Sequence, residues 1–273
     1  MKLHEIGMAR RVALPLLAKF GNFDLTIRHH YTGDRVRVNA FRHKGYWYLG
    51  KNRERHVMSS FERLIHKGDT VIEVGGHIGY VSLFFAKLAG DTGRVFVFEP
   101  GANNLPYTTR NLQSARNVQL IRKAVSSTAG QMPFYLEDMS GQNNSLVKDF
   151  WVFDGVAKGA FLQGQYREEL VEVVTLDEFV AEKRLAPAFL KIDVEGAEFD
   201  VLQGAIDTIR TYKPVLMLEV NVKHTEIYEF ARANGYEIYD DKLQPFRELP
   251  KSGMPNIFCV HRDSDRLPKS SRQ

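Results

Sequence analysis

The sequence predicts an α/β protein with a largely parallel sheet covered by helices on both faces. Two observations lead there. From Asp69 onward, short continuous apolar runs alternate with helical segments, as expected of strands buried on both sides. The composition also supplies the core: 44% of 273 residues are hydrophobic and 26% charged, which suits one large domain plus an appendage and excludes global disorder.

The chain opens with Lys2, Arg10 and Arg11 before a short apolar run, Val12 to Leu17, interrupted by Pro15 and closed by Lys19. That run falls short of the roughly 18 to 20 residues needed to cross a bilayer, and no signal-peptide pattern follows. The expectation is a cytoplasmic protein without a transmembrane segment. A basic amphipathic first helix leaves a peripheral membrane contact open, with a solvated terminal helix as the commoner reading. Residues 23–50 alternate loosely through Leu25, Ile27, Val36, Val38, Trp47 and Leu49 around Thr32-Gly33-Asp34, which predicts short antiparallel strands. Together, residues 1–53 are expected to form an N-terminal cap.

Glu54 to His66 carries Val57, Phe61, Leu64 and Ile65 at helical spacing, with Gly68 as the expected C-cap. Seven strands follow: Thr70 to Val74, Arg94 to Phe98, Val118 to Ile121, Phe189 to Ile192, Val215 to Val220, Tyr236 to Tyr239 and Ile257 to Val260. Between the third and fourth lies an insertion, 126–187, with a strand at Met132 to Leu136, an aromatic-rich stretch from Trp151 to Tyr166 and a strand-to-helix passage at Val171 to Val180. Substrate specificity commonly resides in such insertions. The polar tail, 263–273, is expected to fray. A single cysteine, Cys259, excludes an internal disulfide framework and a zinc site of several thiolates.

The first strand runs into Glu73-Val74-Gly75-Gly76-His77-Ile78-Gly79-Tyr80, then an apolar helical run. A sharp strand-to-helix turn needs positive φ, and a ligand lying across it needs backbone without a Cβ. The same glycines would serve a tight turn with no ligand. A dinucleotide fingerprint would require glycine at 77 and 80, where His77 and Tyr80 stand, so nicotinamide cofactors are disfavoured. Instead Glu73 brings a carboxylate to the loop, suited to a cationic amino group or a water.

The second strand ends in Phe98-Glu99-Pro100, about 26 residues after Glu73, the spacing at which an acid grips the two hydroxyls of an adenosine ribose. A solvated strand end or a charge at a helix N-terminus is the alternative role. Together the loop and the acid describe a nucleoside bearing an ammonium or sulfonium group, which S-adenosylmethionine fits better than NAD or ATP.

In order along residues 54–261, Glu73-Val-Gly-Gly-His-Ile-Gly-Tyr-Val-Ser82, Val97-Phe-Glu-Pro100, Val174-Thr-Leu-Asp-Glu-Phe179, Leu190-Lys-Ile-Asp-Val-Glu-Gly-Ala-Glu198, Leu218-Glu-Val220 and Asn256-Ile-Phe258 resemble the FkbM-type methyltransferases. The segment 191–198 is the most specific of these. The resemblance implies a class I, Rossmann-like fold with seven strands in a mostly parallel sheet, S-adenosylmethionine across the strand ends, and O-methylation of a hydroxyl on a saccharide, glycolipid or natural product. It implies cofactor contacts at Glu73, Gly75, Gly76, His77, Ile78, Gly79, Tyr80, Glu99, Pro100 and Asp193. The family loop usually reads Asp-Val-Gly-Ala-Asn-Ile-Gly, so Glu73, Gly76 and His77 are departures.

For catalysis, Asp193 ends the fourth strand, where sheet topology gathers ligand contacts, and serves as general base or as a contact to the methionine ammonium. Glu195 and Glu198 are expected in the first turn of the next helix, either compensating its dipole or acting in the site. Glu219 ends the fifth strand, Asn221 follows, and His224 is a candidate base. The preferred mechanism is metal-free; Asp193, Glu219 and Asn221 are the alternative Mg2+ set, since hard cations take oxygen ligands. The acceptor is expected to be a small molecule or glycan. Scattered basic residues and the net charge of +4 call for no nucleic acid. An N-methyltransferase lacks its usual Asp/Asn-Pro-Pro-Tyr clamp here, and a binding or interaction module that has lost catalysis is the remaining class. Oligomeric state is not legible.

Overall fold

The computed structural model describes residues 22–137, 140–148, 166–246 and 256–267, and the chain divides into two compact units, Met1–Arg53 and Glu54–Gln273. In the first unit, β1 (Asp24–Arg28) and β2 (Arg35–Asn39) form an antiparallel hairpin with Leu25 facing Val38 and Ile27 facing Val36. Trp47 and Leu49, expected in strands, lie instead in the short helix α1 (Lys44–Tyr48) and the turn after it. The cause is Asn39, whose Oδ1 accepts the N–H groups of Phe41 and Arg42 at 3.1 and 3.0 Å and turns the chain out of β2. The amphipathic segment expected before residue 22 lies outside the described residues.

The second unit opens with α2 (Arg55–Leu64), whose Val57, Met58, Phe61 and Leu64 are buried. Its C-cap is Ile65 rather than the expected Gly68. Gly68 instead forms the turn into the sheet and donates its N–H to Ala89 O at 2.8 Å. The sheet strands are β3 (Thr70–Val74), β4 (Arg94–Phe98), β5 (Val118–Ile121), β9 (Phe189–Ile192), β10 (Val215–Glu219), β11 (Tyr236–Tyr239) and β12 (Asn256–His261). Their spatial order is β11-β12-β10-β9-β3-β4-β5. The five from β10 to β5 run parallel, and β12 is antiparallel to both its neighbours.

Side-chain alternation sends each strand's residues to two cores. On one face Phe61 meets Phe85, Phe189 and Phe258 edge-on at 4.8 to 5.8 Å between ring centres. On the other, Phe96 and Phe98 pack against Phe179 at 5.6 and 4.9 Å. The covering helices are α3 (Tyr80–Ala89), α4 (Leu105–Leu112), α5 (Leu176–Lys183), α6 (Glu198–Gln203), α7 (Ile206–Tyr212) and α8 (His224–Ala233).

The insertion builds a second small sheet from β6 (Ala124–Val125), β7 (Gly130–Glu137) and β8 (Tyr166–Val174), with β7 and β8 paired antiparallel along eight residues. The aromatic-rich stretch expected from Trp151 onward lies, up to residue 165, outside the described residues. The stretch expected to fray from Asp263 is fixed through Leu267: Arg266 clamps both carboxylate oxygens of Asp69 at 2.6 and 2.8 Å and donates to Leu64 O, and Leu267 is buried. Among the described residues no helix is long and apolar enough to cross a membrane.

Candidate functional site

Sheet register brings the functional side chains together. Ile192 pairs with Val74 on one side and Leu218 on the other, so the next residues outward, Gly75, Asp193 and Glu219, line up across three strand ends. This is the point where the chain, having added β4 and β5 on one side of β3, adds β9 on the other. In open α/β sheets such a switch point opens the crevice in which ligands bind.

The loop from Gly75 to Gly79 is pinned from several directions. The N–H groups of Gly75 and Gly76 both donate to Phe98 O, at 3.1 and 3.0 Å. Asn111 Nδ2 donates to Ile78 O at 2.7 Å, and Thr108 Oγ1 to His77 O. Gly75 has φ +90°, and a Cβ there would lie 1.8 Å from Asp193 O. At Gly76 a Cβ would lie 2.3 Å from Val97 Cγ1. Close approach of β3, β4 and β9 at their ends therefore demands both glycines before any ligand is considered. Ile78 and Tyr80 are buried and belong to the packing of α3, which Gly79 caps.

Glu99 is 4% exposed. Its Oε2 accepts the His77 N–H at 2.7 Å, and its Oε1 accepts Gly101 N–H at 2.8 Å and Asn104 Nδ2 at 3.3 Å. Burial pushes its carboxyl up to about 7 against these donors. The departure at His77 acquires a structural account here: with φ +47° it turns its N–H onto Glu99, and its Nε2 lies 3.1 Å from Ser140 O. Pro100, partly exposed, follows Glu99 at the rim.

Glu73 is 1% exposed and faces inward, where Ser82 Oγ donates to it and Lys191 Nζ lies 3.6 Å away. Lys191 was not singled out from the sequence. Register pairs it with Glu73 across β3 and β9, so the two side chains emerge on one face. The ammonium also donates to Gly75 O at 3.2 Å and to Asp193 Oδ2 at 2.9 Å. It thus fastens the underside of the loop to the two acids. Burial pushes Glu73 up to about 7, opposed by Lys191.

Beyond them, Asp193, Glu195 and Glu219 bring carboxylate oxygens within 4.8 Å of one another. Burial works against ionisation throughout this group, but Lys191 and a hydrogen bond from Glu219 hold the Asp193 carboxyl below its ordinary range. Burial and the neighbouring Asp193 charge hold Glu219 far above its own. The pair therefore carries one proton at neutral pH, on Glu219. Asp193, 28% exposed, remains an ionised acceptor open to solvent.

Glu195 and Glu198 were expected side by side in a helix, and the structure separates them. Glu195 precedes α6 with φ +54°, which turns its carboxylate to the acids; Asn221 Nδ2 donates to it at 3.3 Å. Glu198, fully buried, folds back to accept the Gly196 N–H at 2.9 and 3.1 Å and cannot reach a ligand. Asn221 thus enters as a donor to the third acid, Glu195. His224 starts α8, and no hydrogen bond or ion pair joins it to the acids among the described residues.

One further element borders the site. Residues 140–147 of the insertion run from the Glu99 corner to the acids: Asn104 Nδ2 donates to Gly141 O at 2.8 Å, Asn103 and Asn144 exchange amide hydrogen bonds, and Ser145 Oγ donates to Glu195 O at 2.7 Å. In sequence Asn144 and Ser145 suit an acceptor contact and a turn equally well, and nothing local distinguished the two.

The family model of the methyltransferase FkbM domain matches residues 73–238, well over half of the chain. The curated protein "Methyltransferase 1" of Beauveria bassiana strain ARSEF 2860 is 28% identical over 155 residues, covering 50% of this chain and 58% of that protein. Among solved structures, methyltransferase FkbM from Methylobacillus flagellatus KT is similar at 16% identity and a TM-score of 0.47, over 75% of this chain and 50% of the other. Aeropyrum pernix fibrillarin with bound S-adenosyl-L-methionine is similar at 12% identity and a TM-score of 0.42, over 86% and 87%. The chain thus spans 58% and 50% of the lengths of the first two relatives.

Proposed function

Because the chain belongs to the methyltransferase FkbM domain family, we propose that it is an S-adenosylmethionine-dependent O-methyltransferase acting on a hydroxyl of a saccharide, glycolipid or natural product. The observation that carries the cofactor half is Glu99: a buried carboxylate at the end of the second parallel strand, oriented by an N–H of the glycine loop, with a cluster of acids two strands away. That acceptor set fits a nucleoside with two vicinal hydroxyls at one end and a cationic amino acid at the other. When bound, the cofactor supplies an electrophilic methyl group.

The residues themselves would bind, orient and handle one proton. Glu99 accepts the ribose hydroxyls, and Asp193, kept ionised by Lys191, accepts either the methionine ammonium or the proton of the acceptor hydroxyl. Glu219, carrying a proton, keeps Asp193 from sharing its charge with a second carboxylate. Alignment of the two reactants can supply about 7 to 11 kcal/mol of the barrier reduction.

The convergence of Asp193, Glu195 and Glu219 favours a second reading, in which these three carboxylates would hold Mg2+, whose charge would ease removal of the hydroxyl proton. The Lys191 ammonium on Asp193 already offsets part of this charge, so the metal-free reading is preferred.

Calorimetric titration with S-adenosylmethionine, S-adenosylhomocysteine and NAD, with and without Mg2+, tests both. Binding of the two sulfur nucleosides, weakened by about 1.5 to 3 kcal/mol in Glu99→Gln, is the expected result. Binding of NAD alone would overturn the cofactor reading, and binding of none would favour a module without catalysis. Methyl transfer to an amine in place of a hydroxyl would overturn the O-methyl assignment.

A further inference from the structure

The charge of the chain is unevenly divided. Met1–Arg53 holds eleven Lys and Arg against three Asp and Glu, while the second unit holds 26 against 30. The overall +4 is therefore the remainder of a strongly basic first unit and a mildly acidic second one.

Within the described part of the first unit, cations gather at the turn end of the hairpin. Arg28 and Arg35 are directly opposed across the β1–β2 ladder, on one face, and both are exposed. Like charges so placed weaken a hairpin. No acid among the described residues pairs with either, whereas Arg37, farther along, is held by Asp24 at 2.9 Å. The hairpin turn is fastened to the turn after α1: Tyr31 Oη donates to Lys51 O at 3.2 Å, and Lys51 Nζ lies 5.9 Å above the Tyr31 ring. Exposed Lys51 thereby joins the same edge. Just before it stand Tyr48 and Leu49, 69% and 46% exposed. Asp34, also exposed, is the acid at this edge.

We propose that this edge, Arg28, Arg35, Lys51, Tyr48 and Leu49, docks the protein on an anionic phospholipid surface. The cations meet the headgroup charge, the tyrosine takes the headgroup level, and the leucine enters the acyl boundary. RNA would also meet the arginines and Tyr48, but exposed Leu49 offers no stacking face and suits an acyl boundary, and the Tyr31 ring already lies under Lys51.

The test is flotation of the full chain with vesicles of phosphatidylcholine and phosphatidylglycerol, against vesicles of phosphatidylcholine alone. Binding is expected to the anionic vesicles, to weaken with salt, and to fall about fivefold for each arginine removed in Arg28→Gln/Arg35→Gln. Tyr48→Ser/Leu49→Ser should weaken it on the same vesicles, and Arg28→Lys/Arg35→Lys should retain it. Circular dichroism checks that each variant is folded. Equal binding to both vesicle types, full binding by the glutamine variant, or single-stranded RNA binding lost in that variant while vesicle binding survives, would each overturn the proposal.

Discussion

Replacing Lys191 by methionine isolates what the buried ammonium does beneath the glycine loop. The variant deletes three contacts: Gly75 O at 3.2 Å, Asp193 at 2.9 Å and Glu73 at 3.6 Å. Removing one partner of a buried ion pair costs about 3 to 5 kcal/mol, and the structure divides that cost by pH. With Lys191 present, the Glu73 carboxyl is pushed up to about 7 from its ordinary 4.5. A carboxyl raised by folding makes stability fall as pH rises from the lower value through the higher one. In the wild type this fall ends near pH 7; without the ammonium, Glu73 shifts higher and the fall continues. One extra pH unit of slope amounts to about 1.4 kcal/mol by pH 8. The lysine's own pKa is raised above its ordinary range, so its charge is constant over this window.

Urea denaturation followed by circular dichroism should therefore show a deficit of about 3 kcal/mol at pH 5, growing by roughly 1 to 1.5 kcal/mol at pH 8. Adding Glu73→Gln should remove the share of the pH dependence that Glu73 carries, leaving the share from Asp193, which Lys191 also holds low. A deficit identical at both pH values, or no deficit at all, would refute the account of Lys191 as the cation of this cluster.

Three further outcomes follow from the site. Gly75→Ala should cost about 3 kcal/mol or more in denaturant, or prevent folding, because its Cβ would meet Asp193 O at 1.8 Å from a φ of +90°; a wild-type midpoint would show that the strand ends can separate. Affinity for S-adenosylmethionine should fall as pH drops below about 7, by at most about tenfold per unit, because protonated Glu99 has fewer lone pairs for the ribose hydroxyls; Glu99→Gln should flatten that titration, and an unchanged slope would remove Glu99 from the ribose. Chelation of divalent ions should leave turnover unaltered, measured on whichever hydroxyl acceptor is found; loss of turnover restored by Mg2+ would transfer the acid cluster to the metal-assisted reading.

Much of this architecture was written locally. Each sheet strand is a short run of β-branched and aromatic residues, and continuous burial on two faces leaves an unmistakable apolar block. The loop at Gly75 and the acid at Glu99 were also legible, because a strand, a tight turn and a helix follow one another without interruption. Where the reading failed, a nearby polar group had redirected the chain. Asn39 turns residues 41–48 from strand to helix, and Asp69 captures Arg266 from a tail that composition alone marks as free.

The candidate site divides along the same line. The sequence by itself determined that Glu73, Glu99, Asp193 and Glu219 stand at or near strand ends, because strand length and side-chain alternation are properties of a few consecutive residues. Only the tertiary structure decided that Glu73 shares a face with Lys191, that Asp193 lies beside Glu219, that Glu195 turns toward them while Glu198 turns away, and that Ser145 reaches the Glu195 carbonyl. Those pairings depend on the order and register of strands distant in the chain, Glu73 and Lys191 by more than a hundred residues and Asp193 and Glu219 by 26, and on positive φ at Glu195, none of which a few consecutive residues fix.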